Sequence, residues 1–197
     1  MAIDNIKTSK LLYHLTRLSN LDSILEHGLV SRKLVKDSDV RFFDIANQEI
    51  ITKRTELGLD EYIPFHFHPY SSFDVAVKST YADEEFIYIC ITRGLAKENN
   101  FKILPIHPLN NKENYQLYDY GEGFEAIDWD TMHTPGTEER YTKNVKMAEC
   151  LTPLVVPAKL FQCIYVKNEA TRAMVKKKLQ SKGIYKMPPF VDIGHWL

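Results

Sequence analysis

Residues 145–151 read VKMAECL, and the glutamate in this run bears on both fold and function. Val145, Met147 and Leu151 share one parity of an extended chain, and Ala148 and Cys150 share the other. Apart from Lys146 both faces are apolar, as in a strand covered by protein on two sides. Glu149 falls near the middle, where a carboxylate is tolerated only if it is paired, hydrogen-bonded or neutralised. Either Glu149 is paired for structural reasons, or a binding cleft opens on this strand.

The 197 residues are 44% hydrophobic and 26% charged, so a single domain over 1–197 with one full core is expected. No apolar run approaches the roughly 18 residues that span a bilayer. The opening MAIDNIKTSK lacks the apolar centre of a secretion signal. A cytoplasmic protein without membrane attachment is the expectation. Cys90, Cys150 and Cys163 all sit in apolar runs and read as reduced core residues. A net charge of −1 argues against a general polyanion binder, although the charge is uneven. Residues 119–130 hold five acids and no base, and residues 167–186 hold seven bases and one acid. A basic helix can track a phosphate backbone, but a solvated helix face is the more ordinary reading.

LLYHLT (11–16) reads as a strand with Leu12, His14 and Thr16 on one face. SNLDSILEHGL (19–29) predicts a short helix capped by Ser19 and ended by Gly28. NQEIITKRTELG (47–58) predicts another, carrying Lys53 and Arg54 and closed at Gly58. In YIPFHFHPY (62–70), Ile63, Phe65 and Phe67 point one way and Pro64, His66 and His68 the other. FIYICIT (86–92) is a buried strand, and FKILPI (101–106) a weaker one. Residues 107–144 show little apolar periodicity and read as a long, partly helical excursion, a type of loop that tends to carry function. LFQCIYV (160–166) is a strand and NEATRAMVKKKLQSKG (168–183) a capped helix. Strands and helices mix without regular βαβ alternation, which favours α+β.

His66 and His68, with His14 as a third ligand, lack the spacing of a metal motif, and no metal is expected. There is no G-x-S-x-G, P-loop or G-x-G-x-x-G, and no cysteine in an electropositive context. Carboxylate-pair hydrolysis would need a second acid beside Glu149. What remains is a polar strand start, a helical arginine, an aromatic–histidine strand and one anomalous glutamate. These suit a nucleoside-type ligand, with aromatics for rings, Arg for phosphate and a carboxylate for a ribose hydroxyl.

Four stretches, in order, are YHLTRLSNLDSILEHGLVS (13–31), IITKR followed by YIPFHFHPYSSF (50–54 and 62–73), EAIDWDTM (125–132) and ERYTKNVKMAECLTP (139–153). Together they resemble the DarT family of DNA ADP-ribosyltransferase toxins. The resemblance implies an α+β ADP-ribosyltransferase fold, with central mixed or antiparallel sheets, flanking helices and a long substrate-recognition loop at 107–144. It implies a monomeric toxin that moves ADP-ribose from NAD+ onto a base of single-stranded DNA, with a macrodomain antitoxin that reverses the mark. Glu149 is then the catalytic carboxylate and Arg54 its partner in catalysis, set against the diphosphate or the incoming base. His14, Thr16, Asn20, Gly28, Leu29, His66 and Ser71 are expected to hold NAD+. Tyr118, Trp129, Arg140, Lys143 and Lys146 are expected to meet DNA, with Tyr115 and Tyr120 as further stacking surfaces.

The pattern departs at His66, where relatives carry Tyr, at Phe73, where they carry Met, and at Cys150 after the glutamate. These departures leave the modified base open between guanine and thymine. Three rival readings share parts of the same evidence: a transferase acting on RNA or protein, an NAD glycohydrolase, and a non-enzymatic protein binding nucleic acid through the 167–186 helix.

Overall fold

The computed structural model describes residues 5–38, 42–46, 48–107, 116–136 and 139–197. Its framework is one seven-stranded sheet ordered β4-β5-β2-β1-β3-β6-β7. The strands are β1 (Leu11–Arg17), β2 (Ile63–His66), β3 (Phe86–Thr92), β4 (Lys102–Leu104), β5 (Glu149–Thr152), β6 (Cys163–Val166) and β7 (Phe190–Ile193). Every neighbouring pair is antiparallel except β6–β7, which makes the sheet mixed.

Alternation along β3 explains why the sheet is covered on both sides. Ile87, Ile89 and Ile91 face the larger core with Leu12 and Phe65, and Phe86, Tyr88 and Cys90 face a second cluster with Tyr13 and Leu15. Helix α1 (Leu21–His27) packs Leu21, Ile24 and Leu25 into the larger core and ends at Gly28, whose φ is +83°. Helix α9 (Glu169–Ser181) buries Thr171, Val175 and Leu179 and is capped by Asn168. Among the described residues, four more short or medium helices lie in the first half of the chain. They are α2 (Arg32–Lys36), α3 (Gln48–Glu56), α4 (Ser72–Thr80) and α5 (Arg93–Glu98).

The described part of the 107–144 excursion is helical in three pieces, α6 (Tyr120–Ala126), α7 (Trp129–His133) and α8 (Arg140–Val145). Tyr115 lies outside the described residues. Trp129, Phe124 and Phe67 pack ring against ring, and the Arg93 guanidinium lies 5.2–5.9 Å from the same three rings. Arg93 also donates to the carbonyls of Ile6, Lys7, Leu11 and Phe67, so one side chain ties the excursion to the sheet.

Two readings of local sequence are corrected. Residues 145–148 are not strand: Val145 ends α8, Lys146 and Met147 turn, and Glu149 opens β5 instead of sitting mid-strand. Ser19 does not cap α1: it lies in the single turn Leu18–Asn20, and the N-cap position is Asn20, which makes no side-chain capping bond. The basic 167–186 segment is a surface helix face, on which Lys178 pairs with Asp22 at 2.7 Å and Lys182 with Glu26 at 3.0 Å on α1. Cys90, Cys150 and Cys163 are buried and unbridged, and burial pushes all three thiols up.

Candidate active site

Three central strands bring the polar residues together. Register sets Glu149 of β5 opposite His66 of β2, and His66 opposite Tyr13 of β1, next to His14. Helix α3 then delivers Arg54, its buried residue. Arg54 Nη1 donates to Glu149 Oε1 at 2.8 Å and to Oε2 at 3.0 Å. Glu149 is 3% exposed and Arg54 7%. Burial pushes the Glu149 carboxyl up, but the charge and hydrogen bond of Arg54 outweigh it and hold the group below its ordinary value. The pair is therefore ionic at neutral pH.

This pair borders an open, largely apolar cleft between β1, β2, β5 and the segment that follows α1. The walls include His14, Gly28, Leu29, Arg54, His66 and Glu149, so six residues singled out from sequence converge here. His14 Nδ1 donates to Pro64 O at 2.8 Å, which fixes the tautomer and leaves Nε2 as the ring's acceptor. Burial lowers the His14 pKa to about 4, so the imidazole is neutral at pH 7. His66 stacks on Phe73 with ring centroids 6.3 Å apart, so two of the three positions that depart from the family pattern lie together on the cleft wall.

Three buried atoms around this cleft have no hydrogen-bond partner among the described residues: Arg54 Nη2, His66 Nδ1 and His107 Nδ1. Buried polar atoms in folded proteins are nearly always paired, and three orphans on one cleft suit a ligand rich in hydrogen-bonding atoms. The set offers one charged donor and two imidazole nitrogens, which fits the ribose hydroxyls and amide of NAD+ or the edge of a base. Among the described residues no group of three or more His, Cys, Asp and Glu side chains is arranged to hold a metal ion.

Other residues singled out from sequence stand behind the wall. Asn20 accepts from Phe43 N at 2.8 Å and donates to Phe43 O at 3.0 Å and to Thr16 Oγ1 at 3.1 Å. It thereby fixes the segment whose Phe42, Asp44, Ile45 and Ala46 line the cleft. Ser71 caps α4 in a reciprocal box with Asp74. Trp129 is core, its Nε1 donating to Phe124 O. Tyr118 is half-buried and bridged through its backbone to Ile103. Arg140 and Lys143 are exposed on α8, and Lys146 donates to the carbonyls of Thr134 and Gly136. Phe65 and Phe67 are core, as read from their parity, and Tyr62 lines the cleft.

Sequence reading missed His107 and the Arg32–Asp44 pair. His107 is neutral, its pKa lowered by burial to about 4 despite the nearby Glu149 charge. Arg32 holds Asp44 through two bonds of 2.6 and 2.7 Å, and Asp44 accepts from Ala46 N. Neither carries a local signal, since PIHP and VSRK are unremarkable until the fold closes.

The family model described as DarT, ssDNA thymidine ADP-ribosyltransferase, matches residues 13–197. A DNA ADP-ribosyl transferase–DNA ADP-ribosyl glycohydrolase fusion protein from Thermosipho africanus is 24% identical over 90% of this chain, which spans 47% of that protein's length. Among solved structures, Thermus sp. 2.9 DarT in complex with ADP-ribosylated ssDNA superposes with a TM-score of 0.80 at 20% identity, covering 95% of each chain. The same Thermus protein in complex with NAD+ gives 0.76 at 20% identity, covering 96% of this chain and 98% of that one. Thermosipho africanus DarTG in complex with ADP-ribose gives 0.69 at 20% identity, covering 94% of this chain and 50% of that one. The shared fold is the ADP-ribosyltransferase fold of those proteins, and with the family model matched from residue 13 to residue 197, this chain belongs to the DarT family of ssDNA thymidine ADP-ribosyltransferases.

Proposed function

We propose that this chain transfers ADP-ribose from NAD+ to a thymine base of single-stranded DNA and releases nicotinamide. The observation that carries this reading is the ionic Glu149–Arg54 pair on an open cleft beside three unpartnered polar atoms. A base must leave the stack to be attacked, which favours a single strand. The family description names thymidine, which supports thymine over guanine.

In this reaction Glu149 accepts a hydrogen bond from the ribose 2′-hydroxyl and its charge stabilises the oxocarbenium-like transition state. By analogy with single oxyanion-hole donors the effect is worth roughly 3–4 kcal/mol. The glycosidic C1′–N bond breaks, its electron pair leaves with neutral nicotinamide, and thymine N3, the base's one ring N–H, loses its proton and bonds to C1′. A guanidinium keeps its own proton, so Arg54 orients Glu149 with Nη1 and offers Nη2 to substrate. The thymine proton passes by way of the His66 imidazole, whose unpartnered Nδ1 lies at the cleft, to water at the open mouth, while His107, held neutral by burial, offers its unpartnered Nδ1 for a hydrogen bond. His14, Gly28 and Leu29 line the NAD+ side, with Thr16, Asn20 and Ser71 fixing the wall behind them. Lys143 and Arg140 grip backbone phosphate beside the cleft.

We extend the proposal to biology: the chain is a cytoplasmic toxin whose mark is removed by a macrodomain glycohydrolase, the activity that the Thermosipho relative carries in one polypeptide. Mass spectrometry of oligo-dT, oligo-dA, oligo-dC and oligo-dG after incubation with NAD+ tests the reaction. One added ADP-ribose on the thymine oligomer alone is expected. An adduct on another base, or on RNA or protein with DNA untouched, overturns it, as does full nicotinamide release without any acceptor.

A further inference from the structure

Helix α8 runs directly into the cleft. Its Asn144 O accepts from His107 N at 3.1 Å, Lys146 O meets His68 Nε2 at 3.1 Å, and Met147 and Glu149 line the cleft itself. On its outer surface stand Arg140, Tyr141 and Lys143, all exposed. Positions 140 and 143 share a helix face, with Tyr141 at their flank.

Tyr141 is unusual among exposed aromatics because it is held. Half of the side chain is open, at 51%, yet its hydroxyl donates to Asp128 Oδ2 at 3.0 Å. Asp128 is itself fixed as the N-cap of α7, accepting from Thr131 N at 2.9 Å and from Thr131 Oγ1 at 2.7 Å. The bond to Asp128 also raises the Tyr141 pKa, so the phenol stays neutral at pH 7. A core residue would be covered and a solvating one would be mobile; this ring is anchored at its tip with its flank left bare.

Resting on the thymine reading above, we propose that Tyr141 is a stacking platform for the nucleotide next to the modified thymine, with Arg140 and Lys143 holding the phosphates on either side. Tyr141 lies about 4.5 Å along the helix axis from Asn144, which touches the cleft wall, a distance on the order of one stacked nucleotide step. Base–aromatic stacking is tolerant of sequence, so the platform fixes the strand's position without dictating its neighbour's identity. A tethered ring also loses less freedom on binding than a free one. The acid at its tip confines phosphate to the Arg140–Lys143 side.

The test uses a thymine oligonucleotide, intact or with an abasic site immediately 5′ or 3′ of the target, and reads initial rates of adduct formation at subsaturating DNA. For the wild type, removing the neighbouring base on one side lowers kcat/KM about tenfold, the typical worth of one stacked base. For Tyr141→Ala, already about tenfold slower on the intact oligonucleotide, that abasic site makes no further difference. Tyr141→Phe, which keeps the ring, restores the dependence. Equal sensitivity of wild type and Tyr141→Ala to both abasic sites overturns the platform while leaving the reaction intact. A wild type that forms no adduct on any thymine oligonucleotide overturns the underlying reading instead.

Discussion

Removing Arg54 isolates the feature on which the site depends. In Arg54→Met the Glu149 carboxylate keeps its burial, 3% exposed, and loses the one guanidinium that donates to both its oxygens. Stranding one member of a buried ion pair costs about 3–5 kcal/mol. For a chain of 197 residues that corresponds to a fall in Tm of roughly 6–20 °C. The pH dependence gives a second handle. In the wild type, Arg54 holds Glu149 below its ordinary value, so the pair's contribution is present above about pH 4.5 and is lost as pH falls. In Arg54→Met the uncompensated carboxyl moves the other way, above its unfolded value, so the variant's deficit grows as pH rises and shrinks in acid. Arg54→Met/Glu149→Leu, which removes both charges, recovers most of the loss, since an apolar pair of similar volume is often as stable as the ionic one. Calorimetric melts of the three proteins at pH 4.5 and pH 7 carry the measurement. An Arg54→Met variant that melts with the wild type at pH 7, or whose deficit does not change with pH, refutes the reasoning.

Three further outcomes follow from the same geometry. Gly28→Ala places a Cβ 2.8 Å from Val156 O and 3.1 Å from Pro157 Cα at a φ of +83°, so a loss of about 2 kcal/mol or more and weaker NAD+ binding are expected by melting and titration. Asn20→Ala frees the Phe43 backbone and with it the cleft wall of residues 42–46, so KM for NAD+ rises severalfold while kcat changes less; a fall in kcat alone argues against a wall-fixing role. His14 and His107 each have a folded pKa of about 4 against an ordinary 6.5, so the unfolded chain binds more protons between those values. Their contribution is intact above about pH 6.5 and is lost as pH falls toward 4, by about 1–2 kcal/mol apiece given the open cleft beside both rings. His107→Ala reduces that slope in pH-resolved melts, and an unchanged slope contradicts the assignment.

The parts of the fold that sequence made legible are those with a local physical signature. The β1 and β3 runs announce themselves by apolar parity, α1 by its apolar stripe and terminal glycine, α9 by its Asn168 cap, and Phe65 and Phe67 by alternation. Glu149 was legible because a carboxylate among apolar residues violates a local rule. The exact start of its strand was not, since Val145 and Met147 are apolar for α8 and the cleft instead of for a ladder. Helix α4 carries a readable signal, the Ser71–Asp74 box, that went unused. His107, Arg32 and Asp44 were illegible in a deeper sense: each acquires meaning only from a partner far away in sequence. Asn20 shows the converse, a residue whose importance to the site was legible while its contacts place it behind the wall it supports.

The central claim is that Glu149 drives transfer of ADP-ribose to thymine. Its most direct test is the rate of adduct formation on oligo-dT by folded Glu149→Gln protein shown by calorimetry to bind NAD+. The account predicts a fall of at least 10²–10³-fold from the wild-type rate, the scale of losing one preorganised charge in the transition state. A Glu149→Gln enzyme that modifies thymine at the wild-type rate contradicts it.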